Sequence, residues 1–152
     1  MAMDVLWIIK DEHEKLRAMI NDWKKTSELN LLAKKIHQIK DECLKILALE
    51  NMYLIPELEG LFPSSSKMAM DTQKTHDCLK KQASGLDKYS VKSKPDLKFR
   101  PVADEFCGTA ADYLDFVDRD LLPKFREFMP TELREDLGQV FIDARQDALL
   151  EA

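Results

Sequence analysis

The chain has 152 residues, 45% of them apolar and 34% charged, with only four glycines. That composition suits a single soluble helical domain (residues 1–152) with a buried core, and it argues against a sheet-rich fold. The net charge of −5 removes the positive surface that nucleic acid or an acidic membrane requires, and the short apolar run Val5 to Ile9 is neither a signal peptide nor a membrane span.

Three cysteines, Cys43, Cys78 and Cys107, are an odd number without metal-type pair spacing. They predict free thiols in a reducing compartment, hence a cytoplasmic protein.

A first helix is expected from Asp4, a natural N-cap, to about Lys25. Its apolar stripe reads Leu6, Ile9, His13, Leu16, Ile20, with Trp23 or Lys24 near the end, so His13 interrupts a core face. Taken alone, such a histidine is most simply a satisfied core residue. A second, long helix is expected from about Glu28 to Leu54, closed by Pro56. Ile36, Ile39, Cys43, Ile46 and Glu50 share its inner stripe. Glu50 needs a cation, a metal or a donor there, because an unpaired buried charge is costly.

Residues 56–66 read as a loop, with Ser65 or Ser66 capping a third helix whose stripe is Ala69, Thr72, His76, Leu79, Ala83 and Leu86. From Tyr89 to Pro101 the pattern dissolves into a connection with a local excess of positive charge, read as solvated. Pro101 suits the first position of a fourth helix carrying Phe106, Ala110, Tyr113, Val117 and Leu121 inward, until Pro123 disrupts it. Helices two and four both end in an apolar run followed by proline, which suggests two similar hairpins. A last helix starts at Thr131, with Leu133, Leu137, Val140, Phe141 and Ala144 on its apolar face. The expected fold is all-α, an antiparallel up-down-up-down four-helix bundle with an additional C-terminal helix. The seven methionines are read as core filler.

His13, Glu50 and His76 thus face one core from separate helices, and they are residue types that bind transition metals in bundle interiors. At this point the chain resembles the hemerythrin-like, or HHE cation-binding, family. The segment Asp11-Glu12-His13-Glu14-Lys15-Leu16-Arg17 is similar to the family's first-helix motif, a His followed by Leu-Arg. Leu47-Ala48-Leu49-Glu50 through Pro56 is similar to the second-helix His-x-x-x-Glu motif with its later Pro. Thr75-His76-Asp77-Cys78-Leu79 resembles the third-helix element, and residues 117–123, Val-Asp-Arg-Asp-Leu-Leu-Pro, resemble the fourth-helix repeat of the second motif. The tail from Thr131 to Gly138 also has the family's look.

The resemblance implies a non-haem di-iron centre that binds dioxygen or senses oxygen or iron. Departures from the motif qualify that. Ile46 stands where the second helix has its His, Tyr113 and Val117 where the fourth has His and Glu, and Thr72 or Gln73 where the third often has another His. The metal ligands implied are therefore His13, Glu50 and His76, with Tyr113 a weaker candidate and Asp118 one residue off the inner stripe. In the family pattern His13 serves one iron, His76 the other, and Glu50 bridges, so the di-iron set is incomplete. Iron or zinc at a partial site, a metal-free interaction module built on the same bundle, and an oxidase-type enzyme are the readings left open. Of these the enzyme is disfavoured by the missing ligands, and no catalytic residue is assigned.

Overall fold

Asp4 begins the first helix as its position implies: the carboxylate accepts the Leu6 amide at 2.9 Å, and α1 runs over Val5–Lys25. The computed structural model describes residues 3–89 and 98–151, and the side chains of the last helix through Gln146. Leu6, Ile9, His13, Leu16, Ile20 and Trp23 are all buried, whereas Lys24 is exposed. The Trp23 indole N–H donates to the Leu32 carbonyl at 3.0 Å and ties the end of α1 to the start of α2, Leu29–Leu49.

The second helix reaches Leu54 as the sequence suggests, but its α-helical part ends at Leu49. At Glu50 the chain passes into a π-turn, Glu50–Leu54, and then a 3₁₀ turn, Ile55–Leu58. Proline explains the change, since its ring lacks an N–H and crowds the carbonyl four residues back. In the wider turn the Ile55 amide bonds the Glu50 carbonyl, five residues earlier, and the misfit is taken up before Pro56. The same device recurs beyond α4, Phe99–Phe116: a π-turn over Val117–Leu121 is closed by the Leu122 amide on the Val117 carbonyl, just before Pro123. The similarity of the two helix ends is thus a shared backbone distortion. The helix does not stop at Pro123 but resumes as α5, Leu122–Phe128.

The other differences are local. α3, Ser65–Leu86, is preceded by Ser64 rather than capped by Ser65 or Ser66, and Ser65 is buried. α4 starts two residues before Pro101, which still lies in the first turn, where its missing N–H has no partner to lose. The expected connection from Tyr89 to Pro101 falls mostly on residues 90–97, outside those described. In α6, Thr131–Glu151, Leu137 and Phe141 are buried, but Val140 is 36% exposed, contrary to its expected place on the apolar face. Met129 packs in the core, yet Met3, Met52 and Met70 are exposed, so the methionines are not core filler as a class.

The described residues contain no strand, and no helix among them is long and apolar enough to cross a membrane. α1 packs against α2, α4 and α6, and α3 against α2 and α4. Ile9, Leu16, Ile36, Ile39, Leu79, Phe106 and Val117 belong to one core cluster. Each such apolar side chain contributes ~1.5–3 kcal/mol on leaving water. α6 lies across α1 and the π-turn after α2: the Phe141 ring is 6.1 Å from that of Tyr53, and Arg145 bonds Glu12 at 3.0 Å and also Glu42.

Candidate metal centre

The inner stripes converge as the sequence requires. His13, Glu50 and His76 are each fully buried and Tyr113 is 2% exposed. α1 supplies His13, the π-turn after α2 supplies Glu50, and α3 and α4 supply His76 and Tyr113.

They form a continuous chain across the bundle. His76 Nε2 lies 2.7 Å from the Tyr113 hydroxyl, which donates to Glu50 Oε1 at 3.0 Å. Glu50 Oε2 lies 3.4 Å from His13 Nε2, and His13 Nδ1 lies 2.8 Å from Asp118 Oδ1. The two histidines therefore sit on opposite sides of Glu50, and His76 reaches it only through Tyr113.

The donors fix the protons. Both His13 nitrogens face carboxylate oxygens, so both carry hydrogen and the ring is an imidazolium. Burial alone would lower the His13 pKa, but the Glu50 charge and the hydrogen bonds to Asp118 and Glu50 lift it to about 9. Tyr113 has one hydrogen and gives it to Glu50, so His76 donates from Nε2, and its Nδ1 is a buried lone pair without a partner. Burial holds His76 below the usual histidine range, which keeps it neutral. Burial, then the Glu50 charge, pushes the Tyr113 hydroxyl well above the usual range, which keeps it a phenol.

Asp118 lies one residue off the inner stripe, beside the fully buried Val117, as the spacing implies. From the edge of that face its side chain still reaches the His13 ring. The Asp118 side chain is 14% exposed and is held on its other oxygen by Arg17 Nη2 at 2.6 Å. Burial would raise its pKa, yet the His13 and Arg17 interactions carry it below the usual carboxylate range. Arg17 lies one turn beyond His13 on α1 and also bonds Asp115 at 3.0 Å. The motif that holds Asp118 was visible in the sequence, but its pairing with His13 was not.

Two metal ions do not fit these side chains. Ile46 and Val117 offer only carbon, the Thr72 hydroxyl is spent on the Met68 carbonyl at 2.7 Å, and both His13 nitrogens are engaged by carboxylates. Among the described residues no three His, Cys, Asp or Glu side chains cluster to hold an ion by themselves. Tyr113 adds a phenol oxygen between the His76 imidazole and the Glu50 carboxylate. Donors bonded to one ion at ~2.0–2.2 Å and at right angles stand about 3 Å apart. The His76–Tyr113 and Tyr113–Glu50 separations of 2.7 and 3.0 Å match that spacing as well as they match hydrogen bonds.

The model of the hemerythrin HHE cation-binding domain family matches residues 4–138. No curated protein and no solved structure matches the chain. With the match covering nearly the whole sequence, and its motif positions meeting in one buried centre, the chain belongs to the hemerythrin HHE cation-binding domain family.

Proposed function

We propose that this bundle holds one transition-metal ion per chain, between Glu50, His76 and Tyr113, and acts as an iron- or oxygen-responsive binding protein rather than an enzyme. The observation that carries the reading is the Tyr113 hydroxyl, buried within 3.0 Å of both a carboxylate and an imidazole. A phenolate, a carboxylate and an imidazole make a donor set suited to iron, with zinc the next choice. When bound, the ion supplies a Lewis-acidic centre for a small ligand.

The chain's own groups meet the requirements of binding. Tyr113 releases its proton, and the Nε2 proton of His76 moves to Nδ1, which has no partner and is free to carry it. His13, held between Glu50 and Asp118, keeps a positive charge on the side where the family places its second ion. The three free cysteines favour a reducing, cytoplasmic setting. A metal-free interaction module remains the second reading, favoured by the near-complete internal pairing of the chain from His76 to Arg17.

The test is equilibrium loading of metal-free protein with ferric ion against a chelator. One ion per chain, with a visible tyrosinate-to-iron absorption that Tyr113→Phe abolishes, is expected. No retained ion, or two per chain, overturns the reading.

A further inference from the structure

At the outer end of the chain Arg17 opens on a surface groove of about 390 Å³, lined by Lys10, Arg17, Asp115, Asp118 and Arg119. Ordinary surface ion pairs contribute little and hold little in place. Arg17 differs in what lies behind it. Its Nη2 bonds Asp118 Oδ2 at 2.6 Å and Asp115 Oδ1 at 3.0 Å, and the second oxygen of the same Asp118 carboxylate bonds a fully buried histidine. That histidine in turn faces Oε2 of Glu50, while Oε1 takes the Tyr113 hydroxyl. Each link removes one rotational freedom from the next: Arg17 sets the plane of the Asp118 carboxylate, Asp118 sets the His13 ring, and His13 sets the Glu50 carboxylate.

Resting on the single-ion reading above, we infer that Arg17 is a positioning residue for the buried centre, orienting Glu50 through Asp118 and His13 from the protein surface. Groups that orient a ligand from behind commonly account for about 10–100-fold in metal affinity. The sequence offers a reason for arginine here. Both bonds leave the same Nη2, whose two hydrogens lie in the guanidinium plane and so point in fixed directions, whereas a lysine ammonium behaves as a point charge. Asp115 is 62% exposed and anchors the guanidinium from the solvent side; Asp118 carries the constraint inward.

The experiment compares wild type with Arg17→Ala, Arg17→Lys, Asp118→Asn and a core control, Leu16→Ala, which loses packing without touching the chain. Two quantities are read: zinc affinity by chelator competition, and the hydrogen-bonded His13 Nδ1 proton by NMR in metal-free protein. Arg17→Ala, two links behind the group that touches Glu50, should weaken zinc binding by up to about 10-fold at unchanged stoichiometry. It should also broaden the His13 proton signal, with Arg17→Lys in between and the Arg17→Ala/Asp118→Asn double variant no worse than Asp118→Asn. Leu16→Ala should lower stability and move neither reading. If Arg17→Ala behaves like Leu16→Ala, the inference is overturned. Should wild type bind no zinc or iron, the single-ion reading falls and the NMR arm alone decides Arg17: loss of the His13 signal in Arg17→Ala supports the inference, and its retention refutes it. Should Arg17→Ala fail to fold, Arg17→Lys is read in the same two ways.

Discussion

Tyr113 stands between His76 and Glu50, accepting from one at 2.7 Å and donating to the other at 3.0 Å, and so joins the two halves of the buried centre. Tyr113→Phe removes only the oxygen. It leaves His76 Nε2 and Glu50 Oε1 facing a ring edge, and an orphaned buried polar group costs ~1–3 kcal/mol, more when charged. Metal-free Tyr113→Phe should therefore unfold at lower urea concentration than wild type, with an unchanged slope. Equal midpoints would mean that water replaces the hydroxyl and that Tyr113 is not the link described.

The imidazolium at His13 predicts a pH profile for the metal-free protein. Its folded pKa of about 9 exceeds the ordinary 6.5, so its contribution is complete below about 6.5 and is lost as pH rises through 9. The amount is on the order of 3 kcal/mol. Asp118 has the opposite sign: its depressed pKa gives a contribution present above about 3.8 and lost as pH falls through the folded value. His76, held below the usual 6.5 by burial, works the other way from His13, since the unfolded chain takes up its proton first as pH falls, so stability in chelator should peak near pH 6.5 and decline on both sides. Glu50→Gln removes the strongest of the influences raising His13 and should flatten the alkaline limb. Parallel profiles for the two proteins would contradict the ion pair.

How much of this was legible in the sequence depended on backbone regularity. Stripe counting placed His13, Glu50, His76 and Tyr113 in one core, because an inward face recurs at fixed intervals along the helices that lead to them. It put Asp118 one residue off that face, where it lies, but could not show that its side chain reaches His13. It carried the second helix to Leu54, where the π-turn does end, but could not show the change from α to π at Glu50. Arg17 was visible only as part of a motif, since no periodicity says which surface arginine will meet a half-buried carboxylate. The exposure of Val140 and of Met52 was illegible for another reason: apolar residues remain on most protein surfaces.

The cysteines make a separate, inexpensive test. Cys78 is exposed, while Cys43 and Cys107 are buried. Burial, then the Glu50 charge for Cys43 and the Asp104 charge for Cys107, pushes both thiols up to about 12. Thiolate is the reactive form, so both should be inert at neutral pH. An alkylating reagent should modify Cys78 in the native protein and the other two only on unfolding. Prompt labelling of Cys43 would show that the core beside Glu50 opens readily.

Gly138 marks the tightest approach of α6 to the chain start. A Cβ built there overlaps the Met3 carbonyl and crowds the Val5 amide, both backbone groups that a rotamer change cannot move. Gly138→Ala should destabilise despite the better helix propensity of alanine, by ~1–3 kcal/mol if the helices shift as overpacked cores do. Gly108, on α4, has open space at the same position, so Gly108→Ala should be neutral or stabilising. Similar thermal midpoints for the two variants would mean that α6 is not seated against Met3.

The strongest test of the ligand accounting is to restore the family pattern. Ile46→His, Tyr113→His and Val117→Glu together would put donors where carbon and phenol now stand, on three buried positions that already face the centre. Without metal, the added polar groups should lower stability sharply, since each must find a partner in an interior built for Ile46 and Val117. With ferrous iron, binding to the folded state alone should recover that stability by mass action. His13 would then have to release Glu50 or Asp118 to become a ligand, so iron binding should become steeply proton-dependent, because a proton on His13 competes with the ion. Two irons per chain in the triple variant, against one in wild type, would show that the backbone keeps the two-ion geometry and that three side chains account for the difference. A triple variant that folds in chelator as well as wild type and still takes up one ion would mean that these positions do not face the ion, and the assignment of Tyr113 as its ligand would fall with them.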